Sequence, residues 1–140
     1  MIGELLSGIT MNLLVMLVHV AATLALMHIT DWLIPTPSHL PSRKRHVLLM
    51  MISVAVMLCA HLTEVGLWSG VYWATGIVPN AYDAYYSAFN TYTALGLGHA
   101  VERDEWRLLE PMTAVSGILM FGWTTAILIA SLQRGARHNF

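Results

Sequence analysis

The sequence predicts an all-α membrane protein, with three spanning helices and a short re-entrant helix between the second and third. Three observations predict it. Of 140 residues, 56% are hydrophobic and only 11% charged, too little charge to cover a water-facing surface. The apolar residues gather in three runs long enough to cross a bilayer, which takes about 20 helical residues. Two basic sites, Arg43-Lys44-Arg45-His46 and the tail with Arg134 and Arg137, are separated by two of those crossings. The positive-inside rule then places both in the cytoplasm. A net charge of -1, with no basic stripe, says nothing in favour of nucleic acid, and no nucleic-acid partner is expected.

Residues 1–35 form the first spanning helix. Its apolar run extends from Leu5 to Ile34, is interrupted by Thr10, Asn12, His19 and His28, and is nearly pure over Leu13–Leu26. Met1-Ile2-Gly3-Glu4 lacks a basic flank, and the run is too long for the core of a secretory signal. Pro35-Thr36-Pro37 ends it, because proline cannot continue a helix. Residues 36–46 read as a basic cytoplasmic loop that sets topology, with anionic lipid as the sharper partner.

The second helix runs from Val47 to about Trp73 and is stopped by Gly76, Pro79 and Asn80. Cys59, the single cysteine, lies inside it and has no internal disulfide partner. Trp68, Trp73 and Trp106 are expected at the outer interface as anchors. The third helix spans 106–133, with Asp104-Glu105 as an acidic start and an apolar run from Pro111 to Leu132. Residues 134–140 are a cytoplasmic tail, so the N-terminus is expected outside.

Residues 79–104 must then lie outside or dip in from outside. Within them, 81–93 has helical spacing but is too short to cross. Non-helical backbone at membrane depth is tolerated only where it is buried in protein or lines a water-filled cavity. The residues after this short helix are therefore the candidate site.

They read Thr93-Ala94-Leu95-Gly96-Leu97-Gly98-His99. The segment from Ala84 to His99 resembles the pore helix and filter of the two-helix potassium-channel superfamily, whose filter has the form T-V-G-Y-G. The stretch Gly117-Ile-Leu-Met-Phe-Gly-Trp-Thr-Thr-Ala126 is similar to the inner helix of its bacterial members. The resemblance covers roughly 47–132, giving a pore domain over 47–133 with the first helix outside it. It implies a homotetrameric pore, since one chain cannot close a ring of carbonyls. It implies a filter of Thr93, Ala94, Leu95, Gly96, Leu97 and Gly98, supported by Asn90, Thr91 and His99. It implies an inner cavity and gate at Gly117, Phe121, Gly122 and Thr125, and a monovalent cation such as potassium as cargo. No cofactor and no enzyme activity are expected.

The residue types suit that role. A cation in a narrow pore exchanges its hydration water for protein oxygens. Successive carbonyls point inward only if the backbone alternates in conformation, and Gly96 and Gly98 adopt positive φ without steric cost. Phe121 and Thr125, four apart, share a helix face. Glu102, Arg103, Asp104 and Glu105 would ring the outer mouth. Three positions depart from the family: Ala94 replaces threonine, Leu97 replaces tyrosine and His99 replaces aspartate. Each departure removes a ligand or a strut, which leaves the ion open between potassium and a weakly selective flow. Only residues 133–140 follow the pore segment and no arginine-repeat helix is visible, so no soluble gating domain or voltage sensor is expected on this chain.

Blander readings stand beside these. Gly117 and Gly122 also suit helix packing, and Tyr82, Tyr85, Tyr86 and Tyr92 suit an interfacial belt and packing cuff. His19, His28 and Asp31 lie in the first helix, and His61 and Glu64, three apart, in the second. Hydrogen bonding between helices is their first reading, with Asp31 and Glu64 near helix ends that water reaches. The sharper alternative is a metal- or proton-handling site at His19, His28, His61 and Glu64. A non-conducting pore fold that binds a partner or lipid is the third.

Overall fold

A computed structural model of the chain describes residues 2–33, 42–96 and 106–136. The described residues form four helices: α1 (Ile2–Leu33), α2 (Ser42–Ala74), α3 (Ala81–Tyr92) and α4 (Leu109–Ala136). No strand occurs among the described residues. Three segments are long and apolar enough to cross a membrane, Ile2–Leu33, Arg43–Ala74 and Leu109–Gln133. At 1.5 Å per residue a 32-residue helix is about 48 Å long, more than the hydrocarbon alone requires.

The basic cluster is where the structure corrects the sequence reading. Arg43, Lys44 and Arg45 form the first turns of α2 rather than a loop. Arginine and lysine are good helix formers, and a helix can extend past the apolar run that identifies it. The third helix likewise begins at Leu109, after a turn at Trp106–Leu108. Pro111 sits in its first turn, where a missing N–H costs nothing.

Polar rungs fix the packing of the long helices. Tyr72 donates its hydroxyl to Thr113 at 3.0 Å, His61 meets Thr124 at 2.9 Å, and Ser53 meets Ser131 at 3.2 Å. Each step back along α2 is matched by a step of nearly the same length forward along α4, so the two are antiparallel. Asn12 donates to the Met112 carbonyl at 3.3 Å, and His19 lies 3.3 Å from Thr124, so α1 runs parallel to α4. The starts of α2 and the end of α4, with their arginines, therefore share one end of the bundle. Other hydroxyls satisfy themselves: Thr10, Thr23, Thr63 and Thr125 donate to carbonyls four residues back in their own helices.

The short α3 starts at the end that carries Tyr72 and descends between α2 and α4. Asn80 caps it, accepting the Asp83 N–H at 2.8 Å. Ala84, Ala88 and Tyr92 pack with Val15, Val65, Trp68, Tyr72, Leu109 and Met120 in one buried cluster. Trp68 is thus a core residue with no exposure, not an interfacial anchor. It belongs to the same buried cluster as Ala84, Ala88 and Tyr92 of α3. Trp73 does lie outside, at 58% exposure.

Two helix ends share one cap geometry. After α2, Gly76 donates to the Trp73 carbonyl and Ile77 to the Tyr72 carbonyl, both at 3.1 Å, with Gly76 at φ 68°. After α3, Ala94 donates to Thr91 at 2.9 Å and Leu95 to Asn90 at 3.1 Å, with Ala94 at φ 56°. This is the paired-bond cap that normally takes glycine. Alanine accepts it at a steric cost of about 1 kcal/mol.

The depth of α3 depends on Gly117. A Cβ there would lie 1.8 Å from the Tyr92 carbonyl oxygen and 2.8 Å from its carbon. Backbone approaches backbone, so no flexible side chain can yield. Gly117→Ala is expected to destabilise the chain by about 3 kcal/mol, since overpacking a tight contact costs that much. Thermal unfolding in detergent measures it. Ala94→Gly should raise the unfolding temperature and Ala94→Thr should lower it, because a β-branched residue resists positive φ more than alanine does.

Candidate functional site

The residues after α3 are exposed in the chain. Ala94, Leu95 and Gly96 face outward, with Leu95 59% exposed. Gly96 takes φ 66°, so left-handed residues alternate at 94 and 96. The positive φ foreseen at Gly96 is present. That of Ala94 was not foreseen, and the helix cap accounts for it. Thr91, Ala94 and Gly96 line an open cleft of about 320 Å³ with Glu110, Pro111 and Ala114 of α4. Leu97, Gly98, His99 and the group Glu102 to Glu105 lie outside the described residues.

Asn90 sits behind this loop and is buried. Its main-chain carbonyl accepts the Leu95 N–H at 3.1 Å and the Thr93 hydroxyl at 3.2 Å. Its side-chain Nδ2 has no partner among the described residues. Thr93 also donates to the Phe89 carbonyl at 2.8 Å. On α4, Phe121 and Thr125 are both exposed on one side, and a Cβ at Gly122 would meet open space. Phe121 also packs inward, 4.7 Å from the His61 ring and 5.5 Å from Tyr92. Gly117 is a site of backbone contact with α3.

Directly beneath the loop, all four helices contribute to one buried polar cluster. Glu64 of α2 is fully buried, not near a wet helix end. The reason is α3, which covers that face of α2. His19 of α1 is equally buried, and its Nδ1 lies 2.8 Å from Glu64 Oε1. Tyr92, the last residue of α3, donates its hydroxyl to Glu64 Oε2. His61 places Nδ1 2.9 Å from the Tyr92 hydroxyl and Nε2 2.9 Å from the Thr124 hydroxyl of α4. Thr124 closes the circuit at 3.3 Å from His19 Nε2. The two imidazoles are 5.4 Å apart, with Trp123 edge-on to His19 at 5.7 Å.

Of the four candidates named from the sequence, the structure therefore joins His19, His61 and Glu64. Their ligand atoms lie within 4.8 Å of one another. His28 is exposed, nine residues further along α1, and Asp31 is exposed beyond it. Two members were missed. Tyr92 read as part of an aromatic cuff, but it is 1% exposed and sits at the hub. Thr124 looked like its neighbour Thr125, yet only Thr125 bonds back to its own helix. No spacing in the sequence distinguishes the two.

Comparison with known proteins adds one relation. No curated protein and no solved structure matches the chain. The family model described as ion channel matches residues 46–134, from the start of α2 to the end of α4. With well over half of its length matched, and three helices apolar enough to cross a membrane, this integral membrane protein belongs to the ion channel family with two-helix, potassium-channel-like pores.

Proposed function

We propose that the chain is the pore-forming subunit of a homotetrameric channel for monovalent cations. The observation that carries the reading is the placement of α3. A 12-residue helix descends between α2 and α4, ends at the depth of Glu64, and turns its following residues to the outside of the single chain. Tyr72 and Glu64 are about 12 Å apart along α2, so α3 stops well inside the span. In a four-fold assembly, that outward loop is the surface that meets its copies. Thr93 to Gly98 would then supply the ring of carbonyl oxygens that replaces the ion's water.

The exposed apolar surface of α4 supports the same assembly. Val115, Ile118 and Leu119 are each more than half exposed. An apolar patch of this kind faces lipid or another subunit. Phe121 and Thr125 would line the cavity below the filter, with four Phe121 rings as a constriction that gates by dewetting. Gly122 leaves room beside them. Potassium comes first as cargo by family, and Ala94 in place of threonine favours weak selection among monovalent ions. The arginines at the start of α2 and end of α4 orient the chain with its C-terminus in the cytoplasm.

The purified protein in potassium-loaded liposomes is expected to release the ion, and absence of flux across pH, lipid and voltage would overturn the reading. Gly96→Ala forces an L-residue into φ 66°. It should cut flux at least about tenfold while the oligomer, measured by light scattering, stays tetrameric. Normal flux through that variant would remove Gly96 from the ion path.

A further inference from the structure

The cluster beneath the loop is a closed ring. Its five contacts run from Glu64 to His19, to Thr124, to His61, to Tyr92 and back to Glu64. Each hydrogen bond needs one hydrogen, so the ring needs five. With Glu64 as a carboxylate and both histidines neutral, the side chains hold four: one on each imidazole, one on Thr124 and one on Tyr92.

The shortage falls at Thr124. Tyr92 donates to Glu64, so its contact with His61 is filled only if His61 Nδ1 carries the hydrogen. His19 Nδ1 faces the carboxylate and must donate to it. Both Nε2 atoms then present lone pairs to Thr124, which has a single hydrogen to give. One contact fails. The four-hydrogen ring also carries a net negative charge in a site where His19 and Glu64 have no exposure. A fifth hydrogen repairs both defects, because every contact is then filled and the ring is neutral. Buried polar groups strongly favour that condition.

We propose that this ring is a binding site for one exchangeable proton, shared between His19 and His61 through the Thr124 hydroxyl. In one form His19 is the imidazolium. Its Nε2–H points to the Thr124 oxygen, and the Thr124 hydrogen points to His61 Nε2. In the other, His19 Nε2–H passes to Thr124 and the Thr124 hydrogen passes to His61 Nε2. Both forms fill all five contacts, and no other reactant is needed. A further proton would leave the buried ring with a net positive charge and two imidazolium rings 5.4 Å apart.

Among the described residues, nothing else that ionises faces the site. On α1 the other ionisable groups are Glu4, His28 and Asp31, and on α4 they are Glu110 and Arg134. All are more than two helical turns away. On α3 they are Asp83, Tyr82, Tyr85 and Tyr86, exposed to the outside. On α2 they are Arg43, Lys44, Arg45 and His46 at the far end, with Cys59 exposed and Tyr72 bonded to Thr113. Histidine is the side chain whose charge ordinarily changes near neutral pH. The proton therefore acts as a latch. It completes the bonds that hold α4, through Thr124, to α1 and α2, just below the loop that follows Tyr92. His19 lies outside the matched segment, which gives α1 a role of its own.

The test does not depend on conduction. The full chain, labelled with 15N at histidine in lipid nanodiscs, is titrated between about pH 5 and pH 8. His19 and His61 signals are expected to move together, with one midpoint and one proton per chain. In Thr124→Val the two rings should titrate separately rather than together. Thr124→Ser keeps the hydroxyl and should restore the single midpoint. Independent titration of the two rings in the native chain, with two protons taken up, would overturn the proposal. So would signals that do not move, or a Thr124→Val titration like the native one. Stoichiometric zinc retained by the purified protein, and lost in His61→Ala, would reassign the site to a metal. Liposome flux is scored separately, so failure of the channel reading leaves this result standing.

Discussion

The structure depends on a buried carboxylate. Glu64 lies ten residues before the end of α2 and has no exposure. An uncompensated charge there would cost several kcal/mol, and removing one partner of a buried pair typically costs about 3–5 kcal/mol. Compensation comes from His19 on α1 and Tyr92 on α3, with His61 and Thr124 completing the network. Every helix thus meets at one point. Apolar packing holds such helices together without choosing a register, since lipid tails are as apolar as leucine. A carboxylate with directional bonds chooses one.

That register places the loop. Tyr92 is fixed twice, by its hydroxyl on Glu64 and by its carbonyl against Gly117. The first contact sets how far α3 descends, and the second sets how close it comes to α4. The cap at Ala94 then turns the chain sharply outward, so that Leu95 and Gly96 emerge at mid-bundle. A strained alanine at this cap is tolerated because the contacts on both sides of it over-determine the position. The ring and the loop are therefore one mechanical unit, joined through a single residue.

The arrangement separates two kinds of surface. The polar ring is enclosed, and its groups answer one another. The faces of Leu13, Leu17, Met51, Leu58, Ile118 and Ile129 are exposed and apolar, as suits lipid or a second copy. Helical hydroxyls that face outward are spent on their own backbones, which keeps them from asking for water in the hydrocarbon.

The sequence by itself determined the membrane character, the three long helices, the short helix at 81–93 and the family. Each rests on local properties: run length, charge placement, and glycine at a position that needs positive φ. It also flagged His19, His61 and Glu64 as out of place in apolar runs. Only the tertiary structure decided what they do. It put Arg43–Arg45 on a helix, moved Trp68 from the interface to the core, separated His28 from the cluster, and added Tyr92 and Thr124. The physical reason is that a hydrogen-bond ring across four helices has no sequence period. Its members are 3 to 105 residues apart, and their meeting depends on the depth of α3, which a glycine and a carbonyl set from opposite sides.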